Sequence, residues 1–179
     1  MTVPLYRNVF LRMFAVAPES ESASLAAALA AELQRYGKVR VQEHGPYWKI
    51  PDNLEFTVDV TPSGRTGECA ASLRSRAPAG WEGTNPGDDV WTSRVGEVFL
   101  HPAVEWVNMV VTEAPTLPRF APGETVRILD SPPAREHDVV DALAEVHGAS
   151  PGTPRWRYTL MPFGQDWTIE LSESELVTP

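Results

Sequence analysis

The groups in this chain able to carry acid–base, nucleophilic or metal chemistry are four histidines (His44, His101, His137 and His147), a single cysteine, Cys69, and 24 acidic residues. A zinc site needs ligands at recognisable spacing, such as two histidines at i and i+4 on one helical face. No histidine pair here has it. His101 and Glu105 are four apart, but Pro102 and the strand pattern after it remove the helical face. His137, Asp138 and Asp141 can share one loop or helical turn, where solvated charge is the plainer reading. Cys69 becomes a nucleophile only with a histidine beside it in space. Its flanks, Gly67-Glu68 and Ala70-Ala71, carry no signature, so it reads as a small buried apolar residue. Neither Gly-x-x-x-x-Gly-Lys nor Gly-x-Gly-x-x-Gly occurs, so phosphate loops of those kinds are not supported. Asp52, Glu55 and Asp59 could supply paired carboxylates. Glu55 and Asp59, however, alternate with Thr57 along a strand, where a wet sheet face is expected. Residue chemistry therefore names no catalytic residue, no metal and no cofactor.

The tryptophans say more. Trp106 and Trp156 sit inside strand patterns and read as core. Trp81 lies in a glycine- and proline-rich stretch, residues 78–89, that reads as the main irregular segment. It is followed by Glu82, Asp88 and Asp89, and then by Trp91. A tryptophan flanked by acids on a loop has the composition of a binding hot spot. Trp81, Glu82, Asp88, Asp89 and Trp91 are therefore the candidate partner-binding residues, with a lid folded back on the core as the other reading. Tyr47-Trp48-Lys49, after Gly45-Pro46, is a second aromatic turn open to the same two readings.

Fifteen Lys and Arg against 24 Asp and Glu leave a net charge of −9. Such a chain repels phosphate backbones, and no run of basic residues offsets that locally, so general nucleic-acid binding is not expected. Complementary fields speed encounter, so the expected partner is a protein with a basic surface. No apolar run reaches the ~18 residues of a membrane span, and no secretory signal is visible at the start. One cysteine forms no internal disulfide, which suits a reducing cytoplasm.

These residues must be held by elements that the sequence outlines. Residues 5–16 read as a strand covered on one face and partly on the other. Pro18 and Glu19-Ser20-Glu21-Ser22 open a helix, with serines to cap it and glutamates suited to its positive end. Leu25, Leu29, Leu33 and Tyr36 form its apolar stripe, alanines fill it, and Gly37 stops it. Residues 38–42 and 54–61 alternate as half-buried strands. Residues 70–76 are ambiguous: a hairpin strand is favoured over a short helix with Cys69 and Leu73 on one face. Residues 90–100 and 104–111 read as two strands, and 113–118 as a linker with two prolines. Short strands then follow at 125–129, 142–147, 156–161 and 168–171, with turn residues between them.

Two resemblances follow. Phe120-Ala121-Pro122-Gly123-Glu124-Thr125-Val126-Arg127-Ile128-Leu129 is similar to the opening of bacterial SH3-like barrels, and the nitrile hydratase beta subunit carries one. Asp130-Ser131-Pro132-Pro133 resembles the next turn, and Ile169 to Leu176 the final strand and its acidic exit. The resemblance covers about a third of the chain and implies a fold, with no active-site residue carried over. The first part loosely resembles small immunity proteins of bacterial toxin systems. The similarities are one helix after the first strand, the acidic balance, and Val104-Glu105-Trp106-Val107-Asn108 after His101-Pro102.

The expected fold is α+β. A mostly antiparallel sheet with one long helix occupies residues 1–113, and a small SH3-like β-barrel occupies 119–179. The expected function is that of a non-catalytic acidic binding protein. Its most concrete form is a cytoplasmic immunity protein that occludes a bacterial toxin. The alternative is a small enzyme, or an enzyme accessory subunit, using His44 or His101 with a carboxylate in a pocket between sheet and barrel.

Overall fold

The computed structural model describes residues 6–85, 88–152 and 155–179. The fold is α+β, with two antiparallel sheets of six and five strands. The chain divides into two compact units, Met1–Glu113 and Ala114–Pro179.

In the first unit, β1 (Tyr6–Val16) leads through a 3-10 turn to α1 (Ser22–Leu33). The strands β2 (Gly37–Tyr47) and β3 (Ile50–Pro62) form a hairpin, and α2 (Thr66–Arg74) follows. A second hairpin, β4 (Trp81–Asn85) and β5 (Asp88–Thr92), precedes β6 (Val104–Ala114). The sheet order is β2-β3-β1-β6-β5-β4. Without the inserted β4–β5 hairpin this is the split β-α-β arrangement of ferredoxin-like sheets.

Alternation decides which side of each strand meets the helices. On β1, Val9, Leu11 and Met13 lie opposite Val60, Val58 and Phe56 of β3. All six are fully buried, in one cluster with Leu25, Leu29 and Leu33 of α1 and Cys69 and Leu73 of α2. Spacings of four keep each helical set on one stripe.

Several expectations need correction. Residues 70–76 begin inside a helix, because Cys69 and Leu73 are i, i+4 neighbours that share its buried face. Glu68 in the first turn of α2 and Arg74 in its last suit the helix dipole. Residues 78–89 are not irregular throughout, since they contribute β4 and the start of β5. The strand expected over 90–100 ends at Thr92, where a 3-10 turn and Gly96, at φ 79°, redirect the chain. The serines do not cap α1 with their side chains. Ser22 Oγ instead donates to Glu43 Oε2 of β2 at 2.6 Å.

Gly37 ends the helical segment for a reason other than a left-handed turn. Its backbone is extended, and a Cβ there would run into the Thr61 carbonyl on β3. Gly37→Ala is therefore expected to lower stability by about 1–3 kcal/mol, the usual cost of overpacking. An unchanged melting temperature would refute the collision.

The wet face expected for β3 is also corrected. Glu55 is 8% exposed and Thr57 2%. β3 lies between β2 and β1, so the long side chains of both neighbours fold over its polar side.

The second unit contains β7 (Thr125–Ile128), α3 (Pro132–Glu136), β8 (Leu143–Ser150), β9 (Arg157–Pro162), β10 (Ile169–Ser172) and β11 (Leu176–Val177). Its order, β10-β9-β8-β7-β11, is a meander whose last strand returns beside the first. Ser131 caps α3 by accepting from Ala134 N, with Pro132 and Pro133 in the first turn. Ser172 and Glu175 form a capping box on the 3-10 turn before β11.

The core of this unit is pinned by Tyr158. Its hydroxyl donates to Glu173 Oε2 at 3.0 Å and accepts from Arg119 N at 2.8 Å. Burial pushes the phenol up to about 12. Tyr158→Phe would remove a hydroxyl shared by these part-buried groups, at a cost of about 0.5–1.5 kcal/mol. A melting curve matching the wild type would contradict that role.

Candidate functional site

The helices cover one face of the six-stranded sheet. The alternate residues of β1 (Asn8, Phe10, Arg12 and Phe14) belong to the other face. At one end of that face the side chains form a continuous aromatic row. Phe14 packs on Trp106 of β6 at 5.1 Å between ring centroids, and on Tyr47 of β2 at 4.5 Å. Tyr47 in turn meets Trp48 at 6.1 Å.

The hairpin places this last pair. Tyr47 lies opposite Ile50, so Trp48 and Lys49 are the two turn residues between β2 and β3. Both apolar residues at the tip face solvent: Trp48 is 56% exposed and Ile50 51%. Val16, at the same end of β1, is 46% exposed. Lys49 Nζ sits 4.8 Å from the Trp48 ring centroid, a cation–π contact.

An arginine is set among these rings. Arg12 Nε donates to Glu55 Oε1 at 2.7 Å. Its guanidinium carbon lies 5.1 Å from the Phe14 centroid and 5.8 Å from that of Tyr47. Glu55 is thus a buried carboxylate satisfied by a charge-assisted bond, and the rings hold the guanidinium plane.

Farther along the same face is a second polar group. Asn8 Nδ2 donates to Asp59 Oδ1 at 3.1 Å and to the Tyr6 hydroxyl at 3.3 Å. Burial pushes Asp59 up to about 6, against the hydrogen bond from Asn8 and the charge of Arg40. Burial, then the charge of Asp59, pushes Tyr6 up to about 12. Asn8 Oδ1 and Asp59 Oδ2 are buried without a hydrogen-bond partner. His44 Nε2 lies 2.8 Å from Thr57 Oγ1 on the hairpin.

The five residues read from the sequence as a contact set do not present one surface. Trp91 is core: it is fully buried, and its Nε1–H donates to Ala79 O at 3.1 Å. Trp81 lies opposite Trp91 and packs edge-on against Phe99 at 5.4 Å, which is the lid reading. Asp89 is paired with Arg74 of α2. Glu82 is exposed. Asp88 lies on β5, and its side chain is outside the described residues. Trp106, read as core, is half-buried on the face away from the helices. Arg12 is the functional candidate missed; Glu55, read as a carboxylate on a wet face, is buried against Arg12. Arg12 within the otherwise apolar run from Val9 to Val16 was the available signal.

The catalytic candidates take structural roles. His101 Nδ1 accepts from Ala103 N at 3.1 Å within its turn. Cys69 is buried, and burial pushes its thiol up, away from the reactive thiolate. His137 stacks on Trp167 at 5.4 Å. His147 is buried, with Nε2 4.0 Å from Glu145 Oε1. Gly148-Ala149-Ser150-Pro151-Gly152 has the spacing of a hydrolase nucleophile elbow. Ser150, however, ends an antiparallel strand opposite Arg157, with no helix between it and β9 among the described residues.

A cavity of about 510 Å³ is lined by Arg65, Thr66, Gly67, Glu68, Val111 and Glu113. Glu113 occupies the start of α2 there by accepting from Thr66 N at 2.9 Å. Among the described residues no group of three or more His, Cys, Asp or Glu is placed to hold a metal ion. None of their helices is long and apolar enough to cross a membrane. Set against family models, curated proteins and solved structures, the chain matches none.

Proposed function

We propose that this chain is a non-catalytic protein-binding molecule, and most concretely a cytoplasmic immunity protein that neutralises a bacterial toxin by occluding it. Its contact surface is the aromatic end of the six-stranded sheet. The observation that carries this reading is the exposure of Trp48 and Ile50 beside the row formed by Tyr47, Phe14 and Trp106. Aromatic side chains and arginine, packed together and open to solvent on one side, are what binding hot spots are made of. The net charge of −9 supports a partner with a basic surface, drawn in by the field before contact.

The test has two parts. The wild-type chain and Trp48→Ala are used as bait in lysate from the native host, and a protein held only by the wild type is then expressed alone. Growth arrest, relieved by co-expression of this chain, is the expected result. A captured protein that is harmless, or that Trp48→Ala holds equally well, would overturn the proposal.

A further inference from the structure

We propose that Arg12 is a carboxylate receptor, on which an Asp or Glu side chain of the protein partner docks beside an apolar neighbour. The inference rests on the protein-binding reading above and names the chemistry that surface selects. Three features of Arg12 carry it.

The first is engagement on one side only. Nε is occupied by Glu55, which is itself buried and fixed. The terminal Nη1 and Nη2 groups meet no acceptor among the described residues. The Arg12 side chain is 40% exposed, so those donors are open to solvent.

The second is preorganisation. The guanidinium rests against Phe14 and Tyr47, so its plane is set before any partner arrives. A free arginine loses rotamer freedom on binding, and a clamped one has lost it already. Paired terminal N–H groups match the two oxygens of a carboxylate, which a lysine ammonium cannot do.

The third is the surrounding chemistry. Tyr47 links Arg12 to Trp48, and Ile50 lies opposite Tyr47. A carboxylate on Arg12 would therefore bring its neighbouring residues onto exposed apolar side chains. Lys49 adds an ammonium at the rim with no carboxylate partner among the described residues. This local preference is compatible with a basic partner. The field of the whole chain acts over about a Debye length, ~8–10 Å, on the partner's total charge. The bidentate bond acts at contact on a single residue. The occupant is thus a carboxylate set within an otherwise basic protein surface.

The test uses the full chain with two probes of the same shape, 4-phenylbutyrate and 4-phenylbutyramide. Shifts of the Arg12 Nε–H and Trp48 Nε1–H signals are followed by ¹⁵N-edited NMR. Butyrate is expected to move both signals and to bind about five-fold or more tightly than the amide, in line with the added worth of a charged hydrogen bond. Arg12→Lys keeps a cation beside Glu55 but lacks the paired N–H groups, and should narrow the difference between the two probes. Equal affinity in the wild type, or an Arg12 signal that butyrate leaves in place, would overturn the inference. Partner capture separates it from the reading beneath it. If Trp48→Ala loses the partner while Arg12→Lys keeps it at wild-type affinity, the surface stands and the receptor role falls. If both variants keep it, both fall.

Discussion

Replacing Trp48 with alanine and Ile50 with serine in one chain is expected to weaken partner binding by about a hundred-fold or more, with no change in melting temperature. Hot-spot truncations cost about 2 kcal/mol or more each, and every 1.4 kcal/mol is tenfold in affinity. Both side chains are more than half exposed, so their loss opens no cavity in the free protein. Exposed substitutions of this kind usually stay within about 0.5 kcal/mol of wild-type stability. The loss should appear mainly as faster dissociation, because removing apolar contact leaves the long-range field untouched. Titration calorimetry with the captured partner, beside a melting curve, gives both quantities. Affinity within about threefold of the wild type would mean that the aromatic end of the sheet is not the interface.

The position of this surface was legible in fragments. Tyr47-Trp48-Lys49 stands out as an aromatic turn, and the alternation of β1 and the stripe of α1 follow from spacing alone. What spacing does not report is which strand becomes the neighbour of which. Arg12 reaches Glu55 across 43 positions of sequence, and that pairing exists only because β3 lies against β1. For the same reason the polar side of β3 looked wet: alternation marks Glu55, Thr57 and Asp59 as one face but is silent about what folds over it. The misreading of α2 has a different origin. Two apolar residues, Cys69 and Leu73, are too few to separate a period of 3.6 from a period of 2. The β4–β5 hairpin was hidden by its own glycines and proline, which mark turns and say little about the short strands beside them. Trp91 illustrates the consequence. Next to Asp88 and Asp89 it looked like part of an acidic contact loop. In the sheet it lies opposite Val107 with its ring among core residues, and the acid beside it turns toward Arg74.

The same face holds a group whose titration should be visible in the stability of the protein. Asp59 is raised to about 6 from an ordinary value of 3.8, chiefly by burial. The unfolded chain therefore gives up this proton at lower pH than the folded one does. In the window from about pH 4 to pH 6 the folded state binds more protons, so stability falls as pH rises through it. A shift of about two pKa units corresponds to roughly 3 kcal/mol, present below pH 4 and lost above pH 6. Asp59→Asn removes the charge. It keeps an oxygen to accept from Asn8 Nδ2, and it supplies donors where two buried acceptors now lack partners. At pH 8 the variant should melt on the order of 10 °C above the wild type. At pH 4.5, where Asp59 is already neutral in the folded state, most of that gap should close. Comparing the two proteins at both pH values isolates this group from the other carboxylates, which titrate alike in each. A difference in melting temperature that is the same at pH 4.5 and pH 8 would show that the buried carboxyl is not what titrates. A lower melting point for the variant at pH 8 would show that Arg40 outweighs burial and keeps Asp59 charged.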